Sequence, residues 1–296
     1  MDSELERFAR SFGPVAEAYD RGRPSYPDEA VAWLVGREQP PRAGQGREPV
    51  VVLELGAGTG KLTERLVALG HAVHATDPDP DMLSVLQARL PGVRTSVDRA
   101  EELPFADASV DVVIAAQAFH WFDHDRALPE IARVLKPGGL IALVWNDRDE
   151  RIPWVRRLGR LIGTGEQLSD PTEVLTGSGL FDEVEETTVK NWQDVNRQTI
   201  VDLVSSRSHV AVLEPAEREE KLRTVLALYD EYGRGMDGMQ LPYVTTCFRA
   251  RVRDPRLRVL DEAADASHAQ VPAQDRGDAR PGSDGGDADV LLIDFR

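Results

Sequence analysis

Cysteine is nearly absent: Cys247 is the only one in 296 residues. That excludes an internal disulfide and a cysteine-built metal cage, and it fits a reducing compartment. Cys247 itself reads as a buried strand residue. Long apolar runs are missing too, since none approaches the roughly 18–20 residues a membrane span needs. The opening MDSELERFAR has charges where a signal peptide has an apolar centre. A cytoplasmic protein with no membrane partner is expected. Basic charge is in deficit, with 35 Lys and Arg against 51 Asp and Glu, a net charge of −16. Such a surface repels a polyanion unless a local patch overrides it. The basic residues are scattered, as at Arg156-Arg157 and Arg249, Arg251 and Arg253, and read as solvated charges, so no nucleic-acid partner is expected. No internal repeat is visible.

The 41% of apolar residues is enough for a folded core, and its distribution is informative. From Val50 to Trp145, short apolar runs alternate with helical patterns, the mark of a parallel sheet covered by helices on both faces. This is an α/β, doubly wound domain, with strands expected near 50–55, 71–76, 93–97, 110–116 and 140–145. Gly70 stops one helix and Asp79-Pro80 starts another. Lys136-Pro137-Gly138-Gly139 closes a third, which Pro129 delays or kinks. Ahead of this core, residues 1–49 form an arm, a short helix around 30–35, and a Pro- and Gly-rich linker over 39–49. Behind it, residues 147–253 form a completing region, with helices near 153–162, 199–206 and 215–232 and strands near 184–189 and 243–251. The stretch 254–296 is poor in large apolar side chains until Val290–Phe295, and a disordered tail is expected.

The chemistry gathers at VVVLELGAGTG, where a strand ends at Glu54 and Leu55 and is followed by Gly56, Gly58 and Gly60 before a helix begins at Lys61. Strand, glycine turn and helix is the unit in which backbone approaches a nucleoside, because glycine lacks the Cβ that would block it and the helix start offers free N–H groups. By itself this pattern serves NAD, FAD and S-adenosylmethionine alike. A dinucleotide fingerprint wants a further glycine where Lys61 stands, and a pyrophosphate gains nothing from Glu54 and Asp77 nearby. Asp77 ends the second strand, at the distance from the turn where a carboxylate accepts both ribose hydroxyls.

ELGAGTG, TDPDPDML, RAEELPFADASVDVVIAAQAFHWF and EIARVLKPGGLIALVWN together resemble the successive motifs of class I S-adenosylmethionine-dependent methyltransferases, and within them the methyltransferase type 11 group. YDRGRPSYP is similar to the N-terminal segment that many such enzymes fold over the cofactor. The resemblance implies a Rossmann-like, mostly parallel seven-stranded sheet whose last strand, 243–251 here, inserts antiparallel. It implies S-adenosyl-L-methionine as cofactor and a small-molecule methyl acceptor as partner. It places Glu54, Gly56, Gly58, Thr59 and Gly60 at the methionine and nucleoside, Asp77 at the ribose and Met82 at the adenine face. Arg99, Ala100 and Glu101 fall at the adenine edge, where many members carry Asp in place of Arg99. Gln117 lines the transfer chamber.

In the arm, Tyr19 has a π face for a sulfonium and Arg23 a charge for the methionine carboxylate or an acidic substrate. His120, in Phe119-His120-Trp121-Phe122 at the end of the fourth strand, is the candidate general base, with a chamber wall as its other reading. His120 and His124 stand four apart, but Trp121 holds the place where a zinc protease has Glu, so no metal is expected. Ser205-Ser206-Arg207-Ser208 and Tyr243 are candidates for the acceptor pocket, and Arg23, Arg148 and Arg151 leave a carboxylate acceptor open. A cofactor-binding regulatory protein without turnover, or an NAD-dependent oxidoreductase, stays compatible with the residues at this stage. Nothing in the sequence specifies an oligomeric state.

Overall fold

The computed structural model describes residues 16–37, 48–163, 170–207, 210, 213–232 and 239–254. The expected tail, most of the 39–49 linker and Ser208 fall outside them. Seven strands, β1 (Val51–Leu55), β2 (Ala72–Thr76), β3 (Arg94–Ser96), β4 (Val110–Ala116), β5 (Leu135–Arg148), β6 (Glu185–Val195) and β7 (Met239–Arg251), form one sheet in the order β3-β2-β1-β4-β5-β7-β6. β1 to β5 run parallel, and β7 inserts antiparallel between β5 and β6. Around the sheet lie α1 (Ala16–Gly22), α2 (Asp28–Leu34), α3 (Lys61–Ala68), α4 (Pro80–Arg89), α5 (His124–Val134), α6 (Pro153–Ile162), α7 (Pro171–Gly177), α8 (Arg197–Ser205) and α9 (Pro215–Tyr232). Among the described residues no helix is long and apolar enough to cross a membrane.

Both faces of the central strands are buried, as parallel strands between helical layers must be. Leu53, Leu55, Val113, Ala115, Ile141 and Leu143 pack one face with Leu128 and Ile131 of α5. The alternate residues Val52, Val112, Ile114, Ala142 and Val144 pack the other with α2, α3 and Cys247. A third cluster joins α6, α8 and α9 to Leu241 and Tyr243 of β7.

The boundaries differ from expectation where pairing outweighs local pattern. β5 begins at Leu135, directly after α5, and the Lys136–Gly139 stretch is taken up by an irregularity in the ladder: Val110 faces Leu135, but Val112 faces Leu140. β6 and β7 run on as a long antiparallel ladder from Glu185↔Arg249 to Val195↔Met239. Pro129 lies inside α5 without ending it. α7, not anticipated from the sequence, starts at a legible signal, Asp170 capping Thr172 N–H ahead of Pro171.

The arm is helical at α1, and it is fastened across the molecule rather than to its own neighbours. Arg21 Nε donates to Asp202 Oδ2 of α8 at 2.9 Å, Arg23 Nε to Ser206 Oγ at 3.2 Å, and Gln193 Nε2 to the Gly22 carbonyl at 2.9 Å. Gly22 lies so close to α8 that a Cβ there would stand 2.3 Å from Leu203 N. Gly22→Ala must therefore push α1 off α8. It should lower the unfolding free energy by about 1–3 kcal/mol and expose the arm to protease, read by urea denaturation and limited proteolysis; wild-type values in both would contradict this packing.

Candidate functional site

The glycine turn sits where the strand order reverses, between β1 and β4, at the carboxyl edge where open α/β sheets bind ligands. The three glycines have different reasons. A Cβ at Gly56 would lie 2.5 Å from Ala118 Cβ, and one at Gly60 would lie 2.7 Å from Leu86 Cγ, so those two let the turn pack against the loop after β4 and against α4. At Gly58, with φ of 56°, a Cβ would meet nothing within 4 Å. Its outer side faces open space beside the end of β2.

Asp77 shapes that bare edge. Its Oδ2 accepts from Gly58 N–H at 2.8 Å and its Oδ1 from Asp79 N–H at 2.9 Å, while Asp79 caps α4 through Asp81 N–H. Burial raises the Asp77 carboxyl to about 6 against those two hydrogen bonds, which lower it. Glu54 lies behind the turn, 1% exposed, and accepts the Thr63 hydroxyl at 2.6 Å. Its pKa rises to about 8, chiefly through burial, opposed by the Thr63 bond and reinforced by the Asp77 charge. At neutral pH Glu54 is thus mostly protonated, so the expected pair of anions next to the turn is reduced to one.

Gln117 follows β4 with φ of 59°, a conformation uncommon for a non-glycine residue. Its N–H donates to the Val144 carbonyl at 2.9 Å and its Nε2 to the Asn146 carbonyl at 3.3 Å. Both bonds turn it into a cleft between the arm, β5, β7 and α8. Lys61, Arg23, Arg148 and Arg207 line this cleft with Asn146, Tyr26, Leu203 and Tyr243, and no Asp or Glu is among the described residues that line it. Burial pushes the Tyr243 hydroxyl up to about 12, so it stays protonated and donates to Gln193 Oε1 at 3.1 Å.

The remaining candidates fall in different places. Thr59 is buried and donates to Asp20 Oδ1 at 3.1 Å, which also takes Arg89 Nη1 and lies 3.6 Å from Lys61 Nζ; the arm is thereby tied to the glycine turn. Met82 is buried on α4, and Ala100 belongs to the core beside α5. Arg99 is half-exposed and pairs with Glu101 at 3.4 Å, and Glu101 accepts Asp123 N–H at 2.9 Å. Tyr19 lies on α1, but its side chain is outside the described set. His120 lies in a 3-10 turn over Phe119–Trp121, against the Trp121 ring, and is not among the residues lining the cleft. Burial first, and His124 second, lower it to about 4. α5 starts only at His124, so the two imidazoles do not share a helix face. Among the described residues no group of three or more His, Cys, Asp or Glu is placed to hold a metal. Arg151 does not reach the cleft: it is exposed and doubly bonded to Asp149.

Sequence reasoning passed over Thr63, Lys61 as a lining cation, Asn146 and Asp20. The Thr63 signal was present, since it falls on the face of α3 that carries Leu62 and Leu66 toward the strand holding Glu54. Asp20 had no local signal, because its partners are 39 and 69 residues away.

The methyltransferase domain family model matches residues 53–143. An uncharacterized methyltransferase of Mycobacterium tuberculosis is 46% identical over 245 residues, 81% of this chain and 95% of the relative. An uncharacterized methyltransferase of Schizosaccharomyces pombe is 35% identical over 223 residues, 73% of this chain and 86% of its own. Among solved structures, a provisionally assigned type II methyltransferase from Anaeromyxobacter dehalogenans superposes with a TM-score of 0.57 at 27% identity, covering 77% of this chain and 97% of that one.

The buried acid behind the turn has a pH signature. Unfolded, Glu54 loses its proton near its ordinary 4.5; folded, near 8. Between those values the folded state binds more protons, so stability falls as pH rises. Glu54→Gln removes that contribution. Its loss of stability from pH 5 to pH 8 should be smaller than the wild type's by a few kcal/mol, because each pH unit between the two titrations is worth about 1.4 kcal/mol, in urea denaturation at each pH. Parallel wild-type and variant profiles would show that Glu54 is ionised in the folded protein.

Proposed function

The chain belongs to the class I S-adenosylmethionine-dependent methyltransferases, and from that premise we propose that the glycine turn and Asp77 hold S-adenosyl-L-methionine while the basic cleft receives a small-molecule acceptor. One observation carries the cofactor reading: the open side of Gly58, next to a buried carboxylate that fixes its N–H, at the reversal point of the sheet. Each Asp77 oxygen accepts one backbone N–H and keeps a lone pair for a ribose hydroxyl. Gln117 and Lys61, at the cleft end nearest the turn, suit the amino-acid end of the cofactor, with Arg23 from the arm beside them.

When bound, this cofactor supplies an electrophilic methyl group on a sulfonium, transferred by in-line displacement with no covalent protein intermediate. The protein's part is to align the acceptor and keep water out. α1 serves both ends, because it is fixed to the turn through Asp20 and to α8 through Arg21. Residues 50–146 are read as the cofactor half, 147–253 as the acceptor side and 1–49 as the arm that spans them. His120 is poorly suited to proton removal, because an imidazole lowered to about 4 is a weak base at neutral pH. A single, fully buried cysteine supports a cytoplasmic setting.

Titration with S-adenosylhomocysteine by calorimetry tests this reading through two variants. Gly58→Ala should cost only about 1 kcal/mol of stability, the strain of alanine at positive φ, yet weaken binding at least about tenfold because the added methyl enters the ligand's space. Asp77→Ala should weaken binding by about 1–3 kcal/mol. Wild-type affinity in both folded variants would remove the cofactor from this edge.

A further inference from the structure

In a chain of net charge −16, the cleft reverses the sign of the molecule. Arg23, Lys61, Arg148 and Arg207 line it, no described acid does, and the rest of its wall includes Pro24, Tyr26, Leu203 and Tyr243. The cations come from four separate elements, the arm, the start of α3, the end of β5 and the residue just beyond α8, so no single amphipathic pattern accounts for their meeting. Arg148 is the most committed of them. Its side chain is 5% exposed, and it stands opposite Tyr243 in the β5–β7 ladder. Nη2 donates to the Gly163 carbonyl at 3.0 Å, and Glu150 approaches to 3.5 Å. The Nε–H is buried with no acceptor among the described residues. Burying a guanidinium while leaving one of its donors unmatched is costly, so the Nε–H calls for a partner such as a water, an ion or a ligand.

Building on the methyltransferase reading, we infer that the acceptor is a small organic acid whose carboxylate is received by Arg148, with Arg207 and Tyr243 beside it. A guanidinium offers planar donors that match a carboxylate or a phosphate. The adjoining wall selects an organic acid, because Tyr26, Leu203 and the Tyr243 ring give it carbon to pack against the acid's body. Lys61 and Gln117 belong to the end of the cleft nearest the glycine turn, so the cofactor's own carboxylate has separate partners there. Glu150 stands beside Arg148, Asp20 beside Lys61, and the charge of Asp147 acts on both Arg148 and Arg207. None of the three lines the cleft, whose charged lining residues are all cations.

The test uses the full chain saturated with S-adenosylhomocysteine, so that the cofactor's carboxylate is already placed. Butyrate, succinate and benzoate, their amides, and inorganic phosphate are titrated at constant ionic strength. At least one acid should bind saturably in the millimolar range while its amide does not, and Arg148→Gln should weaken it tenfold or more. Arg148→Lys, which keeps the charge and loses the planar donors, should fall between, and it serves if the glutamine variant does not fold. Equal binding of acid and amide, phosphate binding without any acid, or no acid binding at tens of millimolar by protein that still takes S-adenosylhomocysteine would each overturn the inference. Failure of the wild type to bind S-adenosylhomocysteine would instead overturn the cofactor reading beneath it.

Discussion

The Asp77 carboxylate joins the end of β2 to two segments: the glycine turn, through Gly58 N–H, and the start of α4, through Asp79 N–H. This clasp determines the shape of the sheet edge at the glycine turn. It keeps an acid buried and oriented while the turn stays open on the side of Gly58, and it raises the charge density felt by Glu54 behind it. Thr63 offsets part of that cost by donating to Glu54, which makes α3 part of the same network. A substitution in any one of these groups therefore acts on the others.

Charge divides the ligand region into two halves. Near β1 and β2 the buried ionisable groups, Glu54, Asp77 and Asp79, are acids. Between β5, β7 and α8 the lining groups are cations. The arm bridges the halves, with Asp20 on the basic and hydroxyl groups around the turn and Arg21 and Arg23 on α8.

Much of the half around the glycine turn was legible in the sequence. β1, the glycine turn and α3 announce themselves by a β-forming run, three alternate glycines and a helical repeat, and all of that information is local. The reversed strand β7 was placed near its true position through the resemblance, though its first residues join the ladder only because β6 extends to meet them. The half around the basic cleft was less legible. Arg23, Arg148 and Arg207 are far apart in sequence within an acidic chain, and only the antiparallel β5–β7 pairing and the docking of α1 on α8 bring them to one cleft. Arg151 shows how little proximity in sequence decides, since three residues beyond Arg148 it turns outward to Asp149. The protonation of Glu54 was equally hidden, because it depends on burial that no local pattern displays. α1 forms in a segment with glycine and proline before it, and tertiary contacts across Gly22 hold it there.

The central claim is that the turn at Gly58 and the clasp by Asp77 make an S-adenosylmethionine site and not a dinucleotide site. Parallel calorimetric titrations of the wild-type chain with S-adenosylmethionine, S-adenosylhomocysteine and NAD test it most directly. Micromolar binding of the first two with no heat from NAD is the predicted result. Binding of NAD alone, or of none of the three by folded protein, would contradict it.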